Sequence, residues 1–329
     1  MTLIARGLQA LIASRSDQVT PHPEGPIPMP KVKANGLTLE AETFGSKDKP
    51  AILLIMGFSA QMTMWPVAFC QGLAEMGFQV VRFDNRDIGL SDKLNDAGPP
   101  NIAEAFMAFQ SGKVYRNAAY DLRHMASDAV GILDALGIER AHIVGASMGG
   151  MIAQLVSVYH GHRAMSLTSI MSTTGRPGLK PAEPHIMAAL MTPPPSTERE
   201  DRITHVMNLW KTIGSTGFPA TPQELRQVAE REVDRAPYDG NAVGRQLVAI
   251  ASSPSRHEIL RTVTCPALVL HGKDDPLVPI EGGRDTAAAI PGAKLVEVPG
   301  MGHDFTDSLT PVYLREVGGF ISSLNGKGA

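Results

Sequence analysis

The chain alternates short, continuously apolar runs with amphipathic helical stretches. AILLIM at 51–56 is apolar throughout, which is typical of a strand that helices bury on both faces. A helical period begins at Pro66 and extends to about residue 76, and QVVRF at 79–83 predicts the next buried strand. The alternation continues with a helix over 120–136, a strand over 141–145, a helix over 149–159, strands over 166–171, 266–272 and 294–300, and a helix over 311–323. The sequence therefore predicts a mostly parallel sheet flanked by helices.

Two features divide the chain further. Asn35 and Gly36 lie between apolar residues and predict a tight antiparallel hairpin at the start of the sheet domain. After about residue 175 the strand signals stop, and helical stretches such as 200–212 and 222–234 replace them. The predicted organisation is an N-terminal helical arm with a Pro-rich linker (1–29), an α/β core (30–174 and 263–329) and an inserted helical cap (175–262).

The N-terminal arm has apolar residues at helical spacing, followed by a Pro-rich stretch from Pro21 to Pro30. Arg6 and Gln9 interrupt the apolar residues, whereas a secretory signal has a continuous apolar core. We therefore expect a cytoplasmic protein. The arm is expected to pack on its own chain or on a neighbouring subunit, which makes a homodimer possible.

Composition excludes several classes of function. The net charge is −3 with both signs interspersed, so there is no basic face for nucleic acid. No apolar run approaches the roughly 18 residues that a membrane-spanning helix needs, so stable membrane insertion is not expected. Cys70 and Cys265 match no metal-ligand spacing and are predicted to be buried reduced thiols. The sequence predicts neither a metal nor a cofactor.

The pentapeptide Gly145-Ala-Ser-Met-Gly149 follows a buried strand and opens a helix. In this GxSxG pattern the glycines permit a tight, strained turn that exposes the serine hydroxyl above the sheet edge. The helix that follows directs its first backbone N–H groups, that of Met148 foremost, at the same place. The pattern alone could also be a glycine-rich turn, but its position favours Ser147 as a nucleophile.

The order of residues along the chain supplies the other members of a triad. In such folds the acid and then the histidine follow the nucleophile, each after a strand. Of the ten histidines only His303 lies beyond the strand that ends near His271, and it is predicted to be the general base. Asp274 and Asp275 both follow that strand; the spacing from Gly272 to Pro279 favours Asp275, which would orient the imidazole.

Three further predictions concern the surroundings of the triad. The backbone N–H of Phe58, after Gly57, is the candidate second oxyanion donor, although Phe58 could also simply line a pocket. The segment DNRDIGLSD at 84–92 is interpreted as structural, through turn hydrogen bonds and ion pairs of Arg86, rather than as a metal site. The cap residues that would suit an apolar pocket wall, or else pack as plain core, are Met187, Met191, Met207, Leu209 and Trp210.

With these residues in place, the chain resembles the α/β-hydrolase superfamily from about Pro30 to Leu324. MGFSAQMTMWP, RFDNRDIGLSD, GASMGG and VPGMGH are similar to segments of bacterial hydrolases like aclacinomycin methylesterase. The resemblance implies a triad of Ser147, Asp275 and His303, with Phe58 and Met148 in the oxyanion hole. Met56 stands where the common superfamily pattern has histidine, as it also does in the narrower group.

The expected function is hydrolysis of a small-molecule carboxylic ester through an acyl-enzyme. A serine in the GxSxG turn argues against dehalogenase and epoxide-hydrolase chemistry, in which a carboxylate at this position attacks the substrate. A lactonase, an acyltransferase and a carbon–carbon bond hydrolase would use the same triad. The alternative from another class is a ligand-binding protein that kept the fold and lost turnover.

Overall fold

A computed structural model of the protein describes residues 27–28 and 31–325. The predicted amphipathic helix of the arm, and any dimer contact through it, lies outside these residues. Ile27–Pro28, which the sequence analysis placed in the Pro-rich linker, pairs with Glu42 and Thr43 at the edge of the sheet.

The strands are β1 Ile27–Pro28, β2 Val32–Ala34, β3 Leu37–Leu39, β4 Ala41–Phe44, β5 Ala51–Ile55, β6 Gln79–Phe83, β7 Ala141–Ala146, β8 Ala164–Ile170, β9 Ala267–Gly272 and β10 Lys294–Val298. Eight of the described strands form one sheet in the order β1-β4-β6-β5-β7-β8-β9-β10. The strands from β6 to β10 in that order run parallel, while β1 and β4 are antiparallel to their neighbours. The predicted α/β class with a mostly parallel sheet is confirmed.

The helices are α1 Val67–Glu75, α2 Ile102–Gln110, α3 Leu122–Ala135, α4 Met148–Tyr159, α5 Pro184–Met191, α6 Arg199–Ile213, α7 Pro222–Arg235, α8 Gly240–Ser252, α9 Ile280–Ala289, α10 Thr310–Tyr313 and α11 Gly319–Asn325. A π-helical turn over Leu314–Gly318 joins the last two. No helix in the described part of the chain is both long and apolar enough to span a membrane.

Both faces of the sheet carry a hydrophobic core. Leu53 and Ile55 of β5 pack in one cluster with α3 and α4, whereas Ile52 and Leu54 pack in the other with α1 and the C-terminal helices. Successive side chains of a strand point to opposite faces, so a strand with two covered faces must be apolar throughout. This is the physical reason for the uninterrupted apolar run.

The predicted hairpin is present between β2 and β3, with φ of 50° at Asn35 and 80° at Gly36. Helix α2 was not predicted. It packs against α8. The helices that cover this edge of the sheet therefore include one that precedes residue 174, in addition to those of the predicted insertion. Its IAEAFMAFQ sequence is only nine residues long, although Asn101 before it and Gly112 after it (φ 66°) are typical of helix ends.

The segment 84–92 is structural, as predicted, and its carboxylates also bind the insertion. Arg86 makes a two-pronged ion pair with Asp128 at 2.6 Å. Asp87 accepts hydrogen bonds from Arg245 of α8 at 2.8 and 2.9 Å, and both side chains are buried. Asp84 binds Arg235 of α7 at 2.7 Å. Buried ion pairs therefore connect the last two helices of the insertion to the end of β6.

The two cysteines are both free thiols. Cys70 is fully buried as predicted, and burial raises its pKa to about 12. Cys265 is only half-buried, which corrects the prediction that both are buried; burial still raises its pKa.

Replacing Arg245 with leucine should strongly destabilise the protein. The substitution leaves Asp87 buried with its charge unpaired, and removal of one partner of such a pair costs about 3–5 kcal/mol of unfolding free energy. Urea denaturation of both proteins measures the difference. As a control, Arg199→Leu, which removes an exposed ion pair with Asp234, should leave the midpoint nearly unchanged. Equal midpoints for the two variants would contradict the role given to Arg245.

Candidate active site

Ser147 lies in the turn between β7 and α4. Its backbone has φ 55° and ψ −121°, a conformation that side-chain-bearing residues rarely adopt and that costs on the order of 1–3 kcal/mol. Its N–H donates to the carbonyl oxygen of Ile170 at 2.9 Å, and Ser172 Oγ donates to its carbonyl oxygen at 2.7 Å. Bonds to β8 and to the loop that follows it thus hold the strained turn.

The glycines on either side of Ser147 are required by close backbone contacts. A β-carbon on Gly145 would overlap the carbonyl of Gly149, and one on Gly149 would overlap the carbonyl of Ile55 in β5. A β-carbon on Gly57 would lie 3.1 Å from that of Ser147. The turn therefore packs directly against the loop that follows β5.

Asp275 follows β9, His303 follows β10, and the structure brings the two side chains together. His303 Nδ1 lies 2.7 Å from Asp275 Oδ2, and both side chains are almost completely buried. A carboxylate accepts hydrogen bonds, so the imidazole of His303 donates to it and carries its proton on Nδ1. The other ring nitrogen, Nε2, is then able to accept a proton. The backbone N–H groups of Leu277 and Val278 donate to Asp275 Oδ1 at 2.9 and 2.8 Å.

Asp274, the other carboxylate considered for the acid, points elsewhere. It is exposed, its N–H donates to the carbonyl of Met301, and its Oδ2 accepts a hydrogen bond from Thr216 at 3.2 Å. Only Asp275 of the two contacts the imidazole of His303.

His271, the penultimate residue of β9, is a neighbour of the pair that the sequence analysis did not identify. Its Nε2 lies 3.6 Å from Asp275 Oδ2 and donates to the carbonyl of Val278 at 2.7 Å. Burial lowers its pKa, so the ring is neutral near pH 7. A single histidine inside an apolar strand gives no sequence signal that distinguishes this contact from ordinary core packing.

The two predicted oxyanion donors flank Ser147. Met148 is the first residue of α4, and the first N–H groups of a helix have no partner within the helix. Phe58 lies in the turn after β5, and its N–H has no hydrogen-bond partner among the described residues. The loop is held by Asn85, whose Nδ2 donates to the carbonyl of Met56 at 2.9 Å. The residue that replaces the common histidine thus anchors the loop through its backbone.

A cavity of about 670 Å³ opens over these residues, and Ser147, His303, Phe58 and Met148 all line it. In the described part of the chain no hydrogen bond joins Ser147 Oγ to His303. Catalytic hydrogen bonds are often long in ligand-free enzymes and tighten when a substrate binds.

The wall of the cavity is largely apolar and comes from both the core and the helical insertion. Four of the five cap residues predicted to suit its wall line the cavity, namely Met187, Met191, Leu209 and Trp210. Met207 does not; it packs against Ile203 and α7. Ile203 and Met207 are four residues apart on α6, so they lie on the same face of the helix, and this face is turned away from the cavity. Further apolar lining comes from α2, namely Ile102, Phe106 and Phe109.

The loop that carries His303 is bonded to the segment that follows α6. The bonds are His303 N–H to the Ile213 carbonyl, Gly217 N–H to the Gly300 carbonyl, Gly302 N–H to Ser215 Oγ, and Ser215 N–H to Asp304 Oδ2, all 2.8–2.9 Å long. Burial raises the pKa of Asp304, and the Ser215 hydroxyl also donates to its carboxylate. The insertion therefore fixes the backbone of the candidate base.

Known proteins similar to this chain include several ester-cleaving enzymes. Rhodomycin D methylesterase DauP of a Streptomyces species (strain C5) is 26% identical over 297 residues, covering 84% of this chain and 92% of that protein. A bifunctional esterase/perhydrolase of Acinetobacter calcoaceticus is 24% identical and covers 88% and 98%. The 3-oxoadipate enol-lactonase 1 of Acinetobacter baylyi is 25% identical and covers 76% and 80%.

Solved structures with the same fold include the meta-cleavage product hydrolase of Pseudomonas fluorescens IP01, with a TM-score of 0.67 at 19% identity over 92% of this chain and 99% of that one. The enol-lactonase of Burkholderia xenovorans LB400 has a TM-score of 0.63 at 20% identity, over 91% and 98%. The family model for the alpha/beta hydrolase fold matches residues 50–307. The chain therefore belongs to the α/β hydrolase family.

Proposed function

We propose that the protein is a serine hydrolase of carboxylic esters, with Ser147 as nucleophile, His303 as general base and Asp275 as the residue that orients the base. The hydrogen bond between Asp275 and His303, at the edge of the cavity that Ser147 also lines, carries this proposal. The strained turn at Ser147 and the two available N–H groups support it. The ester-cleaving relatives support the same substrate class.

The proposed reaction has two steps. Ser147 Oγ attacks the ester carbonyl while His303 Nε2 takes the hydroxyl proton, and the N–H groups of Phe58 and Met148 stabilise the oxyanion. Collapse of this intermediate releases the alcohol, which receives the proton from His303, and leaves an acyl group on Ser147. Water, deprotonated by His303, then attacks the acyl group and releases the acid.

A lactone is the second candidate substrate, because a cyclic ester reacts through the same steps and an enol-lactonase is among the relatives. The two substrate classes differ in where the alcohol goes, since a lactone keeps it on the same molecule as the acid. The rate of proton release would be measured with five- and six-membered lactones and with open-chain esters of the same carbon number. The substrate class with the higher kcat/KM would be the better candidate.

Replacing Ser147 with alanine should abolish ester hydrolysis. Removal of the nucleophile is expected to lower kcat by roughly three orders of magnitude or more. The measurement is hydrolysis of 4-nitrophenyl esters from acetate to decanoate by the wild-type chain and the variant. Ser157→Ala is the matched control, since Ser157 is a buried serine near the end of α4 that does not line the cavity; its hydroxyl donates to the Ala153 carbonyl and hydrogen-bonds the Cys265 thiol.

Two results would contradict the assignment. Turnover that persists in Ser147→Ala would exclude Ser147 as the nucleophile. Absence of turnover on every ester and lactone, in wild-type protein shown to be folded by circular dichroism, would exclude the simple esterase.

Replacing Asp275 with asparagine should keep the fold and lower kcat by roughly 10³- to 10⁴-fold. The amide oxygen can still accept the two backbone N–H bonds, but the neutral side chain no longer stabilises the imidazolium or selects the tautomer. Asp274→Asn changes the adjacent, exposed carboxylate and should leave kcat close to that of the wild type. Similar losses in both variants would argue against Asp275 as the acid of a triad.

A further inference from the structure

Glu232 of α7 lines the same cavity as Ser147, and its carboxylate has few hydrogen-bond partners. Thr63 Oγ1 donates to Oε1 at 2.8 Å, and the Gln61 N–H lies 3.4 Å from Oε2. Both donors are neutral. A carboxylate offers about four acceptor positions, so Glu232 has capacity that the protein leaves unused.

Asp87, another carboxylate of the cavity wall, is fully occupied by comparison. Its oxygens accept bonds from the guanidinium of Arg245, from the hydroxyl of Tyr120 and from the N–H of Leu94. The difference is one of charge as well as number, because Asp87 has a cationic partner. An acidic side chain beside an apolar cavity is ordinarily stabilised in this way.

Arg235, one turn further along the same helix, does not form an ion pair with Glu232. Arg235 donates to Asp84 at 2.7 Å and to Gln61 Oε1 at 2.6 Å. No ion pair among the described residues involves Glu232. Burial accordingly raises its pKa to about 7. The wall of the cavity thus holds a carboxylate that forms no ion pair among the described residues, although the positive charge of Arg235 also acts on it and lowers its pKa.

We propose that Glu232 forms a subsite for a protonated amine carried by the substrate. This inference rests on the proposed function, because it places the amine on the ester that Ser147 would attack. An ammonium group would be the directly bonded cation that Glu232 lacks, and it would form charge-assisted hydrogen bonds with the free acceptor positions of the carboxylate. The remaining wall, which is mainly apolar, would bind the hydrocarbon part of such a substrate.

The subsite adjoins one of the loops that form the candidate active site. Glu232 binds Gln61, four residues after Gly57, so the subsite adjoins the loop that also carries the Phe58 N–H. An amine held there would fix the substrate relative to the oxyanion donors. Binding energy of a non-reacting group is then used to position the reacting one.

The test measures binding of three ligands of similar shape and different charge. Isothermal titration calorimetry at pH 8 would compare 3-phenylpropylamine, 3-phenylpropan-1-ol and 4-phenylbutanoate with wild-type protein. The amine should bind at least tenfold more tightly than the alcohol, and the alcohol more tightly than the carboxylate. The amine preference should also decrease as the pH falls below about 7, since Glu232 then takes up a proton. His205 also lines the cavity, and burial lowers its pKa, so it becomes protonated only at a lower pH than an exposed histidine.

The matched variants are Glu232→Gln and Asp239→Asn. Glu232→Gln removes the charge at nearly constant size and should reduce the preference for the amine over the alcohol to threefold or less. Asp239 also lines the cavity, but its carboxylate caps α8, a task that asparagine performs equally well. Asp239→Asn should therefore keep the preference.

Equal binding of amine and alcohol by the wild type would overturn the proposal, and this comparison needs no variant. A preference that survives in Glu232→Gln, or tighter binding of the carboxylate, would overturn it as well. None of these ligands is an ester, so the result does not depend on turnover. An inactive protein with the amine preference would refute the esterase and leave the amine site in place.

Discussion

The strained backbone at Ser147 is the constraint around which the rest of the site is arranged. A conformation that costs on the order of 1–3 kcal/mol persists only where the surrounding packing fixes it. Here β5, β7 and α4 meet so closely that there is no room for a side chain at Gly145 or at Gly149. The first ten residues of α4 are all buried. The same close packing places the loop after β5, with its N–H groups, beside the serine.

A second set of interactions joins the helical insertion to this frame. The carboxyl end of β6 supplies Asp84 and Asp87, and the insertion supplies the arginines that neutralise them. Charge at this edge of the sheet therefore serves to hold the cover of the cavity rather than to bind a ligand. Glu232 differs because it forms no ion pair among the described residues, and Arg235 on the same helix binds Asp84 instead.

Local patterns were sufficient to predict the six parallel strands, the hairpin and the loops that carry Ser147, Asp275 and His303, but not the edge strand at Ile27–Pro28. Each depends on residues adjacent in sequence, such as an apolar run or a glycine-flanked serine. Asp87 and Arg245 could not be paired from the sequence, because they are 158 positions apart and many charged residues could have met either one. Met207 was assigned to the cavity because helical spacing identifies an apolar face but not which neighbour covers it. Glu232 had no local signal at all, since its environment is created by α7 packing on the loop at 61–63.

The bonds between residues 213–217 and 300–304 limit how the cavity can open. A hinge that lifted the end of α6 off the core would break the bond from His303 N–H to Ile213 and would release the loop of the candidate base. An opening of the cavity that keeps this loop in place has to lie where the cover is not bonded to the loop. The helices α2 and α5 meet this condition, with exposed Phe109 and Met191 at the cavity margin. A movement of α2 or α5 would therefore leave the hydrogen bonds that hold the candidate base intact.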